Sequence, residues 1–368
     1  NNTRGHVTRL LERRLIEIVN RLPHGSDEDL DELIGRSDAH TLNRVINLET
    51  GSLAVEAGVK MMLSRFYRLD RTSGRPEYGG KIPVFLVMGD FDGGRSANYH
   101  GTTVLTQGFR DLWPELDGKL DQSGTLQAVP VRINDLSDFS EKVERYNTGA
   151  YKIAGFLHEI VLMNYGAIVL EKAYLQNVYE LCRISDIPVL VDEIQTGIWY
   201  PDHFLFLDYG LKPDFVAVGK GFPGGQYPAS KIITTARMDT LNLFGALVTN
   251  GQEELASLAY LITIEFAREN ADHIGAIGRY YEQRLSDLME KHPNAVAGIE
   301  GAGLLSAVRF HREADAVAFA KALNRRCIDI SVHTYKPKCP PTALTKLPLV
   351  STERMVDTLV GHFDEVLR

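Results

Sequence analysis

Val189-Leu190-Val191-Asp192-Glu193-Ile194-Gln195-Thr196-Gly197 sets a carboxylate at the end of an unbroken apolar run. Such a run predicts a strand buried on both faces, and hence a parallel sheet covered by helices. An acid at a strand end in an open α/β sheet faces the crevice where ligands bind. On this stretch alone, Asp192 reads equally well as a residue capping the turn that follows. Pro213-Asp214-Phe215-Val216-Ala217-Val218-Gly219-Lys220-Gly221-Phe222-Pro223-Gly224-Gly225 repeats the pattern with a lysine among glycines. Partial desolvation there would lower the pKa of Lys220 and make its amine a nucleophile. The plain alternative is a lysine reaching from a loop into water. Gly219-Lys220-Gly221-Phe222-Pro223-Gly224 also fits GxGxxG, but strand-like Ile232-Ile233-Thr234-Thr235 follows where a dinucleotide fingerprint needs a helix.

Outward from these two stretches, apolar runs predict strands at 44–48, 83–88, 126–133, 153–162 and 230–235. Helical spacing predicts helices at 6–22, 28–33, 53–66, 174–185 and 251–290, the last broken near Ala271. Residues 70–81, rich in Gly, Arg and Pro, predict a loop. Beyond residue 298 strand and helix signals recur at 304–310, 314–323, 329–333 and 352–367. The expected division is a helical segment 1–40, a large domain 41–275 and a smaller C-terminal α/β domain 276–368.

At 368 residues the chain can bury a large core without disulfide or metal staples. Cys182, Cys327 and Cys339 are odd in number and far apart, which points to a reducing, cytoplasmic setting. A net charge of −8 argues against a nucleic-acid partner. No apolar run is long enough for a membrane span, and the first four residues carry no signal-peptide pattern. His100, His158, His203 and His333 form no ligand-spaced set, so no metal is expected.

Thr50-Gly51-Ser52 precedes the helix at 53–66. Hydroxyls at a helix start can hold a phosphate, although an ordinary N-cap uses the same residues. Tyr99-His100-Gly101 follows a Gly-rich stretch; an aromatic there stacks on a ligand ring or simply packs. The order of these signals resembles the class III aminotransferases of the pyridoxal 5′-phosphate (PLP) fold type I. Glu49-Thr50-Gly51-Ser52-Leu53-Ala54-Val55-Glu56-Ala57 is similar to that family's phosphate motif. Asp192-Glu193-Ile194-Gln195-Thr196-Gly197 is similar to its Asp-Glu-Val-Gln-Thr-Gly, and Pro213-Asp214 through Gly225 to its Pro-Asp…Lys-Gly-x-Gly-Gly run.

The resemblance implies fold, cofactor and roles. The fold is a mostly parallel sheet with helices on both faces and a smaller C-terminal α/β domain. Lys220 would hold PLP as a Schiff base, Asp192 would pair with the ring nitrogen and Gln195 would reach the 3′-oxygen. Thr50, Gly51 and Ser52 would hold the phosphate, with Tyr99 stacking on the ring and His100 beside it. Thr249 would reach the phosphate of a neighbouring subunit, which implies a homodimer with the site at its interface. The implied activity moves an amino group between an amine or amino acid and an oxo acid.

Several positions depart from the family pattern. Leu53 replaces a Glu, and Ile198-Trp199-Tyr200-Pro201 replaces Gly-Arg-Thr-Gly. Thr102 replaces an Arg, Glu159-Ile160 a Glu-Pro pair, and Thr249-Asn250-Gly251-Gln252 a longer motif. The carboxylate-gripping Arg near the C-terminus is absent; Lys346 lies close but lacks a bidentate fork. The portion that the family carries upstream of His6 is also absent. Racemisation, amino-group mutation or decarboxylation on the same cofactor stay open, since fold does not fix the bond cleaved. So do a non-catalytic homologue and, through the GxGxxG, a nicotinamide-dependent oxidoreductase.

Overall fold

The computed structural model describes residues 3–38, 40–242, 244–332 and 339–368. In chain order its strands are β1 (Leu42–Leu48), β2 (Ile82–Met88), β3 (Gln127–Val131), β4 (Tyr151–His158), β5 (Val161–Leu162), β6 (Ile168–Val169) and β7 (Val189–Asp192). They continue as β8 (Phe215–Val218), β9 (Ser230–Thr235), β10 (Val296–Glu300), β11 (Ala307–Phe310), β12 (Ser331–Val332) and β13 (Thr342–Leu344). The helices are α1 (His6–Val19), α2 (Asp27–Gly35), α3 (Gly51–Leu63), α4 (Val104–Gly108), α5 (Pro114–Gln122) and α6 (Leu136–Tyr146). After them come α7 (Lys172–Ile184), α8 (Leu205–Asp208), α9 (Glu254–Glu269), α10 (Ala271–Lys291), α11 (Glu313–Asn324) and α12 (Glu353–Leu367).

Seven strands form one sheet in the order β1-β9-β8-β7-β4-β2-β3. Neighbours are parallel except at β8–β9 and β1–β9, so β9 alone runs against the rest. Val189, Leu190 and Val191 are all buried, as a strand covered on both faces requires. On one face Leu190, Phe215 and Ile232 share a core cluster with Val55, Val59 and Met62 of α3. On the other, Phe156 packs edge-on against Phe139 of α6, with ring centroids 5.0 Å apart. Beside it His158 Nε2 lies 2.8 Å from the Tyr179 hydroxyl of α7. Complete burial pushes the pKa of His158 down to about 3, so this histidine is neutral core.

Two compact units divide the chain. One comprises Asn1–Ile160, Glu171–Gly197 and Phe204–Glu265 and contains the seven-stranded sheet. The other comprises Val161–Leu170, Ile198–His203 and Phe266–Arg368. It holds a four-stranded sheet, β10-β11-β13-β12, antiparallel throughout, and the β5–β6 pair. Its core includes Phe310, Phe319 of α11 and Phe363 of α12, with successive ring centroids 5.1 and 5.2 Å apart.

The predicted strand 153–162 is two strands. The backbone leaves the large sheet at Glu159, whose carbonyl lies 3.1 Å from His158 Nδ1, and Val161–Leu162 pairs with β6 instead. The helix expected over 251–290 breaks at Asn270, between α9 and α10. Helices α4, α5 and α6 lie where no element was expected. The strand expected at 329–333 covers Ser331–Val332, and His333 lies outside the described residues. No described helix is long and apolar enough to cross a membrane.

Candidate active site

Strand direction gathers the site. β1, β2, β4, β7 and β8 point the same way, so the residues following them meet at one edge of the sheet. Reversed β9 contributes its first residue, Ser230, to that same edge. A cavity of about 310 Å³ opens there, lined by Gly51, Ser52, Tyr99, His100, Gly101, Thr102, Glu159, Asp192, Ile194, Gln195, Lys220 and Ser230.

Asp192 ends β7 with only 4% of its surface exposed. Its Oδ2 lies 2.8 Å from His100 Nδ1, and its Oδ1 accepts the Ile194 amide at 3.0 Å. A carboxylate has about four lone-pair positions, so two remain for a ligand. Because a carboxylate only accepts, His100 Nδ1 carries the proton of this bond. His100 is itself buried, and its Nε2 has no hydrogen-bond partner among the described residues.

The opposite wall is the start of α3. Thr50 caps it, its hydroxyl accepting the Leu53 amide at 3.4 Å, and the first amides of a helix have no intrahelical partner. Ser52 Oγ accepts the Thr102 amide at 3.0 Å, which ties the loop after Tyr99-His100 to the helix start. That closeness requires Gly101: its φ is +114°, and a Cβ there would sit 2.6 Å from Ser52 Cα. Half-buried Tyr99 carries the Arg110 guanidinium 4.9 Å from its ring centroid.

Lys220 lies two residues past β8 with φ +42°, a left-handed conformation uncommon for a side chain bearing a Cβ. It is exposed, although its setting among glycines suggested partial desolvation, and it lines the cavity. The buried lysine is Lys231, on β9, with 1% exposure. Desolvation pushes its pKa down to about 8, its ammonium lies over the Tyr260 ring at 5.4 Å, and it does not line the cavity.

Seven of the nine residues singled out from the sequence line this cavity: Gly51, Ser52, Tyr99, His100, Asp192, Gln195 and Lys220. Thr50 stands just outside as the cap of α3. Thr249 is exposed in a turn and is not part of the lining. Sequence reasoning missed the part played by Glu159, Ser230, Thr102 and Glu193. Glu159 and Ser230 were findable by the rule that strand ends at the crevice carry function. Glu193 is wholly buried and braces the site from behind. It takes the Thr196 hydroxyl and, at 2.7 Å, the Phe206 amide, and desolvation pushes its pKa up to about 7.

A buried acid–imidazole pair, an amine and a helix start thus share one cavity. The sequence pattern of class-III aminotransferases matches residues 12–351, and the chain belongs to that family, whose members are PLP-dependent. It is 28% identical to an ornithine aminotransferase of Plasmodium chabaudi chabaudi over 336 residues, which cover 88% of this chain and 75% of the relative. It is 27% identical to a putrescine aminotransferase of Pectobacterium atrosepticum over 307 residues, covering 81% of this chain but only 61% of the relative. Among solved structures, a transaminase from the marine bacterium Virgibacillus superposes with a TM-score of 0.77 at 18% identity, covering 99% of this chain and 79% of that one. That likeness establishes the fold type I architecture.

Proposed function

We infer that this chain binds PLP in the strand-end cavity and moves an amino group between an amine or amino acid and an oxo acid. One observation carries this reading: the buried Asp192–His100 pair shares its cavity with Lys220 and the start of α3. These residues fit the coenzyme. A basic ring nitrogen suits Asp192, which keeps lone pairs to spare; a phosphate suits the α3 start with its Thr50 and Ser52 hydroxyls. Tyr99, which lines the cavity, is the aromatic side chain that the ring would stack on.

When bound, PLP supplies an electron sink for the carbon that bears the amino group. Asp192 would hold a proton on the ring nitrogen through the attraction of its buried charge. His100 fixes the Asp192 carboxylate by donating through Nδ1. Lys220 would hold the coenzyme through Nζ, and the same amine would serve to move the proton at the reacting carbon. Gln195 would reach the ring oxygen, while Thr50, Gly51 and Ser52 would hold the phosphate.

The active unit is a homodimer in which Thr249 reaches a partner's phosphate. Supporting self-association, the outward face of α9 exposes Leu255, Leu258 and Ile262, at 57%, 44% and 62%. Free Cys182, Cys327 and Cys339 support a reducing, cytoplasmic setting. The test is an absorbance spectrum of the PLP-loaded protein, followed by amino donors screened for a spectral change. A protein that takes up no PLP, or a loaded protein that responds to no donor, overturns the reading.

A further inference from the structure

Asn47 stands near the end of β1, shortly ahead of the Thr50 cap, and is 3% exposed. Its Nδ2 donates to Gln252 Oε1 at 3.1 Å and to Glu12 Oε1 of α1. Both N–H bonds of that amide are thereby used, and one side chain ties α1 and the turn at 249–252 to the same strand. The backbone is equally close: a Cβ at Gly251 would lie 2.6 Å from the Asn47 carbonyl oxygen. Glu49 accepts the Asn250 amide at 3.2 Å. Gly251 and Gln252 are buried, whereas Thr249 is exposed. The turn is pinned at its base and presents Thr249 outward.

Lys231 is the residue directly opposite Asn47 in the β1–β9 ladder, and opposed residues project to the same face. Burial pushes the pKa of Glu12 up, opposed by Arg4, by the Asn47 amide and by the Lys231 charge. The enclosed lysine that the cavity does not use thus helps to keep Glu12 an acceptor for Asn47. Gln252 stands where the chain departs from the family pattern, and Asn47 is the partner it finds there.

We propose that Asn47 is a positioning residue: through Gln252 and Gly251 it fixes where Thr249 stands relative to the α3 start, a role that rests on Thr249 reaching a partner's phosphate. Each chain then gives its α3 start to one coenzyme and its Thr249 to another, and Asn47 sets the geometry of both. Loosening the turn weakens phosphate binding while Lys220 and Asp192 keep their places.

The test compares Asn47→Ala and Gln252→Met with the wild type; the second keeps side-chain length and removes the acceptor. Without coenzyme, amide hydrogen exchange across 249–253 should quicken about tenfold in both. PLP affinity should fall about tenfold, while the half-reaction of the fully loaded protein keeps its rate. Asn47→Asp alone sets a second carboxylate against Glu12 and should loosen the turn. Adding Glu12→Gln reverses the polarity of the chain, since the amides at 12 and 252 can then both donate, and should restore slow exchange and affinity. That recovery keeps the outcome readable if Asn47→Ala fails to fold. Unchanged exchange in Gln252→Met, or a reversed pair no better than Asn47→Asp alone, overturns the proposal. So does Thr249→Ala weakening PLP while Gln252→Met does not. Thr249→Ala without effect overturns the shared-phosphate reading, and this role with it.

Discussion

His100 Nδ1 stands 2.8 Å from Asp192 Oδ2, with both residues almost fully enclosed. The two lie ninety-two positions apart in the chain and meet because the loop after β2 and the end of β7 reach the same sheet edge. In that enclosure the carboxylate cannot turn toward water, and its charge stays directed into the cavity. A hydrogen bond to a charged group contributes about 1.5–3 kcal/mol, enough to hold one rotamer.

Removing the charge should slow chemistry more than binding. Asp192→Asn should retain PLP through the phosphate grip while the amino-transfer half-reaction slows about a hundred- to a thousand-fold. His100→Ala should slow it less, about ten- to a hundred-fold, with recovery in His100→Asn, whose amide can donate in place of Nδ1. Stopped-flow traces of single half-reactions measure this. Unchanged rates in Asp192→Asn would reduce that residue to a turn cap.

Two lysines compete for the role of coenzyme-bearing amine. Burial pushes the pKa of Lys231 down to about 8, yet it is enclosed under Tyr260, whereas Lys220 lines the cavity. Borohydride treatment of the PLP-loaded protein should therefore fix the coenzyme to the peptide containing Lys220. A peptide map with the adduct on Lys231 ends the assignment.

Glu193 makes stability depend on pH. Its pKa rises from 4.5 in the ordinary case to about 7 in the fold. Between those values the folded chain keeps a proton that the unfolded chain has lost, so stability falls as pH rises through about 7. Glu193→Gln removes this slope. From about pH 5 to about pH 8, wild type should lose up to about 3 kcal/mol relative to the variant, read from denaturation midpoints. Parallel curves for the two proteins would show that the carboxyl titrates normally.

Thr249 decides whether the site is shared. Thr249→Ala should weaken PLP affinity by roughly ten- to a hundred-fold. Mixing Thr249→Ala chains with Lys220→Ala chains should restore activity, because one site of the mixed dimer then carries both defects and the other carries neither. If Thr249 serves its own chain, every site keeps a defect and mixing restores nothing. Ultracentrifugation of a protein carrying Leu258→Glu and Ile262→Glu should show monomer if the exposed face of α9 takes part in association.

The sheet was legible because its strands are apolar throughout, and a strand covered on both faces leaves no other pattern. The end at His158 was not, because Val161 and Leu162 extend the same apolar run while pairing elsewhere. Helix α6 was overlooked although Leu136, Phe139 and Val143 have helical spacing and Asp135 caps the Asp138 amide at 2.9 Å. A short amphipathic helix between two strands is easily absorbed into a loop. Within the site, Lys220 and Asp192 stood out because each breaks an apolar strand pattern. Glu193 did not, since its importance lies in what the fold buries around it.

The reversal of β9 has a consequence for what can be re-engineered. Because β8 and β9 are antiparallel, the segment 219–229 returns directly, and Val218 stands opposite Lys231 in the ladder. Sliding the exposed lysine back by one residue would press a Cβ at Gly219 to 2.4 Å from Ser230 Oγ, so the buried serine would have to turn. Moving the amine of this cavity therefore disturbs the strand that returns beside it. Grafting a different amine chemistry onto this scaffold means rebuilding the return, not relocating the side chain.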